Sequence, residues 1–226
     1  MTYSLIIPIY NEERTLLKLI EKLSDLDSDK IEIIIIDDGS DDSTKEILYG
    51  NTKFIIKHNN KNLGKGASIK RGIKYAKNKN IILMDGDLEV DINDIPKLIF
   101  KYENAKDDVL VGVRWKNKNI FQAHDINTFG NLVINYIFNK LFKSNLNDVL
   151  CCVKILDLNV FNSLNIQSQG FGIEIETMAK LVMNGKLINE SIVDYNRRTY
   201  QEGKKLKLSD GWGVIITMFK TRFEKN

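Results

Sequence analysis

The apolar residues of the chain fall into short runs separated by longer amphipathic stretches. Five runs, at residues 5–9, 31–36, 54–56, 81–84 and 109–113, have the length and continuity of strands buried on both faces of a sheet. The stretches between them have the length of helices. Strands that alternate with helices predict right-handed crossovers, and therefore an α/β fold with a mostly parallel central sheet flanked by helices.

Polar residues near the ends of these runs predict where helices begin. Asn11 precedes Glu12 and Glu13, which favours a helix cap with two acids in the first turn and a helix that ends near residue 23. Ser43 and Glu46 have the spacing of a capping box, which predicts a short helix there. Two further helices are expected, from about residue 65 to 77 and from residue 92 to about 104.

The second half of the chain has a different order of elements. Apolar residues recur at helical spacing between residues 125 and 142, as a stripe that faces either the core or a membrane. Beyond residue 148 the pattern predicts a strand at 151–155, a helix at 174–183, a strand at 187–193 and then a polar, basic tail.

The C-terminal stretch, residues 212–223, mixes aromatic, aliphatic and basic side chains. This mixture fits an interfacial helix and equally a helix packed on the domain. Because no Pro- or Gly-rich linker separates the two halves of the chain, we expect a single domain over residues 1–226.

Polar residues directly follow three of the predicted strands: Asp37-Asp38, Gly64-Lys65 and Asp85-Gly86-Asp87. Ligands of parallel sheets bind beyond the carboxyl ends of the strands, so these residues are expected at one edge. In an extended segment Asp85, Asp87 and Glu89 share a face and could bind one hard divalent cation, and Gly86 leaves room for a phosphate or sugar. A solvated acidic turn is the other interpretation.

Composition narrows the classes of function. A net charge of +3 gives no reason to expect nucleic acid as a partner. We expect no signal peptide and no membrane span, and the adjacent Cys151 and Cys152 do not form a disulfide framework. The expected location is the cytoplasm, or the cytoplasmic face of a membrane as a peripheral protein.

Seven strings in order along nearly the whole chain resemble the family 2 glycosyltransferases of the GT-A fold, especially the dolichyl-phosphate mannose and glucose synthase-like branch. They are PIYNEE at 8–13, DDGS at 37–40, NLGKG at 62–66, DGDLE at 85–89, DVLCCVK at 148–154, GFGIEIE at 170–176 and residues 195–205. The resemblance implies a Rossmann-like fold with a nucleotide-sugar-binding half at 1–115. The acceptor-binding half would be 116–226, with a basic, amphipathic tail.

The resemblance also implies roles for individual residues. The donor's base and ribose would contact Pro8, Tyr10, Glu12, Ile36 and Asp38. The donor diphosphate would lie near Lys65, Asp85 and Gly86, with Mg²⁺ or Mn²⁺ held by Asp85, Asp87 and Glu89. Zn²⁺ is not expected, because no Cys or His is placed near these carboxylates. Donor or acceptor phosphates would contact Arg114, Arg198 and Lys204, and the residues closest to the chemistry would be Asp87, Asp148 and Arg198.

The implied activity is inverting transfer of a hexose from a UDP- or GDP-linked donor to a polyprenyl phosphate or another membrane-associated acceptor. Transfer to a sugar hydroxyl is the alternative; it requires a base, for which Asp148, then Glu174 or Glu176, are the candidates. A non-catalytic donor-binding module is a third hypothesis. The family often carries a second Arg where this chain has residues 122–126, so His124 substitutes for it or the contact is missing.

Overall fold

The computed structural model describes residues 1–115, 123, 125–198 and 210–224, and it has the α/β architecture that the apolar runs predict. Seven strands form one sheet: β1 (Tyr3–Ile9), β2 (Ile31–Asp37), β3 (Ile55–His58), β4 (Asn80–Leu83), β5 (Val109–Val113), β6 (Lys154–Asp157) and β7 (Ile188–Ile192). The helices of these residues are α1 (Leu16–Ser24), α2 (Thr44–Leu48), α3 (Lys65–Ile73), α4 (Ile95–Asn104), α5 (Ile126–Phe142), α6 (Leu158–Ser163), α7 (Gly172–Met183) and α8 (Asp210–Phe223). Lys204 and His124 lie outside the described residues.

The strand order is β3-β2-β1-β4-β6-β5-β7. Strands β1 to β4 are parallel, whereas β6 is antiparallel to both of its neighbours, β4 and β5. This reversal has a structural consequence. The first residue of β6, Lys154, pairs with Leu83 at the carboxyl end of β4, so Lys154 lies at the edge where the parallel strands end.

The core covers both faces of the sheet, as continuous apolar strands require. Ile7 of β1 belongs to a buried cluster that contains Leu19 of α1, whereas the adjacent Ile6 belongs to a cluster on the other face with Ile69 of α3. Because neighbouring strand residues point to opposite faces, β1 is packed between two helical layers.

One predicted helix start is wrong, and a second is confirmed without its predicted capping hydrogen bond. Helix α1 begins at Leu16, with no acid in its first turn, because the side chain of Asn11 instead accepts a hydrogen bond from the Asp41 backbone N–H. Asn11 also has a left-handed backbone, with φ of 51°. Helix α2 begins directly after Ser43, as predicted, but the Ser43 side chain makes no capping hydrogen bond, so the predicted capping box does not form.

The helix predicted at residues 125–142 is confirmed. The Asp125 side chain accepts hydrogen bonds from the backbone N–H groups of Asn127 and Thr128, which caps the first turn of α5. Helix α8 is also present and packs one face on the domain, where Val214 and Met218 are buried. No helix within the described ranges has both the length and the apolar character needed to cross a bilayer.

A change from glycine to alanine should have opposite effects on the free energy of unfolding at two helical positions. A Cβ at Gly72 of α3 would lie 2.5 Å from Ile6 Cγ2, so Gly72→Ala overpacks the core and should lower the free energy of unfolding by about 1–3 kcal/mol. A Cβ at Gly130 of α5 meets nothing within 4 Å, so Gly130→Ala should raise it by about 0.5–1 kcal/mol. Urea unfolding of both variants measures this, and equal effects of the two changes would contradict the close packing of α3 on β1.

Candidate active site

A cavity of about 390 Å³ lies where β1 and β4 end. The charged part of its lining comes from Glu12, Lys65, Asp85, Asp87, Glu89, Arg114, Glu174 and Arg198. Most of the apolar part comes from two helices that contact each other: Ile126, Phe129, Val133 and Ile134 of α5, and Trp212, Val214 and Ile215 of α8. One cavity therefore joins a group of ionised side chains to an apolar groove.

The acidic segment after β4 is bent, not extended. Strand β4 ends at Leu83, and residues 86–89 form a bend in which Leu88 has a left-handed backbone with φ of 60°. The strand alternation predicted for Asp85, Asp87 and Glu89 is therefore wrong. The bend nevertheless directs all three carboxylates into the lining of the same cavity.

A chain of alternating charges runs from the cavity into the core. The Lys65 ammonium lies 2.6 Å from an oxygen of Asp85 and 2.7 Å from an oxygen of Glu174. The other oxygen of Glu174 accepts from Lys154, whose side chain is fully buried and whose ammonium also donates to the Cys151 carbonyl at 2.6 Å. Each charge in the chain thus has a partner of opposite sign, which a buried charge requires.

These contacts set the protonation states of Lys65 and Glu174. Burial opposes the charge of Lys65, but the carboxylates of Asp85 and Glu174 raise its pKa well above the usual value. Burial favours a protonated Glu174, but the ammonium groups of Lys154 and Lys65 lower its pKa below the usual value. Both side chains therefore remain ionised near neutral pH, and Glu174 is a weak base.

Asp87 has the opposite electrostatic environment. Burial, together with the negative charges of Asp85 and Glu89, raises the pKa of Asp87 to about 7, against the favourable hydrogen bond from the Glu89 backbone N–H and the charge of Arg198. Asp87 therefore ionises less readily than an ordinary carboxyl group, because two other carboxylates lie close to it.

Within the described residues no three Asp, Glu, His or Cys side chains are grouped so that they could hold a metal ion. The predicted three-ligand site is not assembled, because Asp85 is paired with Lys65, and Glu89 accepts from Tyr195. The donor set still fits a hard divalent cation: the facing groups are carboxylate oxygens, and their mutual repulsion at Asp87 is what a cation would relieve.

The expectation that no thiol lies near these carboxylates is also wrong. Cys151 and Cys152, both free thiols, line the cavity beside Asp85 and Lys65. The hydrogen bond with Cys151, and then burial, raise the pKa of Cys152 well above its usual value.

The segment after β7 closes one side of the cavity. The Arg198 guanidinium donates to Glu12 at 2.8 Å and to the Asp87 carbonyl at 2.9 Å, and the Arg198 backbone N–H donates to Glu89 at 3.1 Å. The Tyr195 hydroxyl donates to the other oxygen of Glu89 at 2.9 Å. The predicted residues Glu12, Asp87 and Arg198 are therefore brought together, although the resemblance alone gives no reason for a contact between Glu12 and Arg198.

Arg114 and Asp148 form a bidentate ion pair behind the cavity. The guanidinium donates to the two carboxylate oxygens at 2.7 and 2.8 Å, and the Arg114 backbone N–H also donates to Asp148 at 3.1 Å. The guanidinium lies over the rings of Trp115 and Tyr195, at 4.6 and 5.4 Å from their centroids. Arg114 lines the cavity, whereas Asp148 is buried and does not.

Three residues predicted to bind the donor are used by the fold itself. Ile36 has no exposed surface and belongs to the core. Asp38 accepts hydrogen bonds from four donors inside the protein, among them the backbone N–H of Gly64 at 2.8 Å, which fixes the loop before α3. A Cβ at Gly86 would lie 2.4 Å from Ile9 Cγ2, so core side chains occupy the space where a side chain would project. Its lack of a side chain serves core packing.

The remaining predicted residues do not line the cavity. Pro8 and Tyr10 are partly exposed at the carboxyl end of β1, and neither lines the cavity. Glu176 is buried and accepts hydrogen bonds from the backbone N–H groups of Gln167 and Ser168, so it orders a loop. Of the candidate bases, only Glu174 faces the cavity.

Sequence reasoning missed Lys154 and the apolar lining. A lysine among the apolar residues of a predicted strand, between Val153 and Ile155, was a signal for a buried ion pair. The contribution of Ile126, Phe129 and Trp212 could not be predicted, because it depends on the contact between α5 and α8.

Known proteins resemble this chain in sequence. Residues 4–164 match the model for glycosyl transferase family 2. An uncharacterized protein of Methanocaldococcus jannaschii is 32% identical over 83% of this chain and 85% of its own length. The dodecaprenyl-phosphate galacturonate synthase of Rhizobium johnstonii is 27% identical over 97% of this chain, which spans 66% of that enzyme. Glycosyltransferase AglD of Haloferax volcanii is 24% identical over 85% of this chain, which spans 32% of its length.

Solved structures share the fold. Glucosyl-3-phosphoglycerate synthase of Mycobacterium tuberculosis in complex with UDP has a TM-score of 0.74 and 18% identity, over 100% of this chain and 81% of that one. A second structure of that enzyme, with Mn²⁺, UDP and phosphoglyceric acid, has a TM-score of 0.73 and 19% identity, over 100% of this chain and 80% of that one. The family match covers most of the strands that build the cavity, and the chain therefore belongs to glycosyl transferase family 2 and is a glycosyltransferase.

Proposed function

We propose that this enzyme transfers a hexose from a UDP- or GDP-linked donor to a polyprenyl phosphate or a related membrane-associated acceptor, with inversion at the anomeric carbon and with Mg²⁺ or Mn²⁺ as cofactor. The observation that carries the proposal is the dual lining of the cavity, which offers ionised side chains and an apolar groove to one ligand. A polyprenyl phosphate has this same division into an anionic head and an apolar chain.

The comparisons support the proposal from outside the structure. One relative is named a dodecaprenyl-phosphate galacturonate synthase, and solved structures of the fold carry UDP, with Mn²⁺ in some of them. The Mycobacterium enzyme is also solved with a phosphorylated acceptor, phosphoglyceric acid. A nucleotide-sugar donor and an acceptor that presents a phosphate are thus both represented among the similar proteins.

The state of the candidate bases favours a phosphate acceptor over a sugar hydroxyl. Asp148 is held in the ion pair with Arg114, and Glu174 lies between two ammonium groups that lower its pKa. A hydroxyl acceptor needs a base to remove its proton. A phosphate monoester is already an anion near neutral pH, with a second pKa of about 6, and needs none.

The proposed reaction makes one bond and breaks one. An oxygen of the acceptor phosphate forms a bond to the anomeric carbon, while the bond from that carbon to the donor diphosphate breaks. Attack opposite to the leaving group inverts the configuration, and the electron pair of the broken bond leaves with the nucleoside diphosphate. No proton has to move.

The chain supplies positive charge to both phosphates. The guanidinium groups of Arg114 and Arg198 line the cavity and suit bidentate contacts with phosphate oxygens. Lys65 lies at the start of α3, where its ammonium can contact a diphosphate. Asp85 and Asp87 would hold the divalent cation, which when bound stabilises the charge on the leaving diphosphate.

The test is a panel of UDP- and GDP-hexoses with Mg²⁺ or Mn²⁺, in detergent, with and without a short polyprenyl phosphate. Release of nucleoside diphosphate and formation of a sugar-phosphate lipid should both require the lipid phosphate and should stop with a chelator. Transfer to a glycan hydroxyl instead would sink the acceptor assignment. Donor binding without any turnover would favour a non-catalytic module.

The acidic segment offers a matched pair of variants. Asp87→Asn should reduce turnover by about 10²-fold or more, because it removes a carboxylate that would hold the divalent cation, and the cation would stabilise the negative charge that develops on the leaving diphosphate. Asp91→Asn makes the same chemical change four residues on, in a side chain paired with Lys22 and absent from the cavity lining, and should leave turnover close to wild type. Initial rates at saturating donor measure both, and a similar loss in the two variants would contradict the role given to Asp87.

The apolar groove offers a second matched pair. Gly130 lines the cavity and has open space at its Cβ, so Gly130→Leu should fill the groove and raise the KM for a polyprenyl phosphate without changing donor binding. Gly213→Leu makes the same change at a glycine of α8 that also has open space but does not line this cavity. Only the first variant should discriminate between short and long lipid chains; if both or neither do so, the chain does not lie in this groove.

A further inference from the structure

Helix α8 carries an apolar row on the side that faces away from the domain. Trp212, Ile216, Phe219 and Phe223 follow one another at intervals of four, three and four residues, which places them in a single row along the helix. Each is between 42% and 70% exposed. The packing of α8 on the domain is made by the opposite side, where Val214, Met218 and Thr221 are buried, so the row is not needed for the fold.

Helix α5 extends this surface. Ile126 and Phe129, near its start, are exposed and line the cavity together with Trp212 of α8. At the other end, the Arg222 guanidinium of α8 lies 5.9 Å from the Phe142 ring centroid of α5. The two helices therefore run side by side in the same direction. We call Ile126, Phe129, Trp212, Ile216, Phe219 and Phe223 the α5–α8 outer face.

Basic residues border this face. On the helical wheel of α8, Lys220 and Arg222 lie on either side of the apolar row, and both are exposed. Lys140 and Lys143, in and just after the last turn of α5, are exposed as well. Glu224, directly after α8, is the one exposed acid among the described residues 211–224. A row of aromatic and aliphatic side chains bordered by cations is the composition of helices that lie in the interface of an anionic membrane.

We propose that the α5–α8 outer face docks on the surface of a bilayer that contains anionic lipids, with α8 lying in the interface. The face is continuous with the apolar part of the cavity, since Phe129 and Trp212 belong to both. A docked enzyme would open its groove toward the lipid, so an isoprenoid chain could enter from the bilayer without crossing water. The inference rests on the proposed function for the identity of that lipid, but the docking itself does not require it.

The test uses the full chain and vesicles without any polyprenyl phosphate, made of phosphatidylcholine with or without phosphatidylglycerol. The chain should sediment with the anionic vesicles and less with the neutral ones, and added salt should weaken the binding. The double variant Phe219→Ser, Phe223→Ser should bind at least about tenfold more weakly, because two interfacial aromatic side chains are lost. Its thermal unfolding should match wild type, since both side chains are exposed.

The control is Phe100→Ser on α4, which removes a phenylalanine that is 69% exposed and lies outside the proposed face. This variant should sediment like wild type; equal loss of binding in both variants would overturn the proposal. The absence of vesicle binding would also overturn it. A third contrary outcome is light scattering that shows a dimer for wild type and a monomer for the double variant, because a second copy of the chain would then cover the face.

A separate assay distinguishes docking from catalysis. Neither Phe219 nor Phe223 lines the cavity, so the double variant should transfer sugar to a short, water-soluble acceptor phosphate at the wild-type rate. Vesicle binding without transfer to any lipid phosphate would contradict the proposed function and leave the docking surface standing. Transfer to a lipid phosphate without vesicle binding would support the proposed function and contradict the docking surface.

Discussion

The carboxylate of Glu174 between the ammonium groups of Lys65 and Lys154 is the interaction on which the site depends. It joins α7 to the start of α3 and to β6, and through Lys65 it reaches Asp85 in the acidic segment. Removing one member of a buried ion pair typically costs about 3–5 kcal/mol, because the partner charge is left unpaired in the interior. The charges of Asp85, Lys65, Glu174 and Lys154 therefore depend on one another. Their contacts hold this part of the cavity lining in place without a ligand.

The sheet topology explains why this interaction forms there. Because β6 runs antiparallel between β4 and β5, its first residue is adjacent to the carboxyl end of β4, where the acidic segment begins. Helices α5 and α8 then cover the part of the cavity that the charged loops leave open. The same two helices carry the exposed apolar face, so the proposed sites for a sugar donor, a lipid acceptor and a membrane lie along one continuous surface.

Local pattern was enough to predict the strands and the edge at which the site forms. Each apolar run became a strand, and the residues after β1 and β4 meet at one edge because parallel strands end together. The details that the local pattern did not predict depend on contacts distant in sequence. Asp38 accepts hydrogen bonds from the loop before α3, and a bend at Leu88 replaces the extended segment that was predicted. Lys154 lies at this edge because β6 pairs antiparallel with β4, which no local pattern encodes.

The proposed function requires the acceptor's chain to lie between α5 and α8 while its phosphate meets the charged part of the cavity. Photocrosslinking can locate that chain: a polyprenyl phosphate with a diazirine in its first isoprene units is irradiated with the enzyme and donor, and the labelled peptides are mapped by mass spectrometry. Labels are expected in both Ile126–Phe142 and Asp210–Phe223, with competition by unmodified polyprenyl phosphate. Labels confined to other elements, or insensitive to the competitor, would contradict this placement of the acceptor.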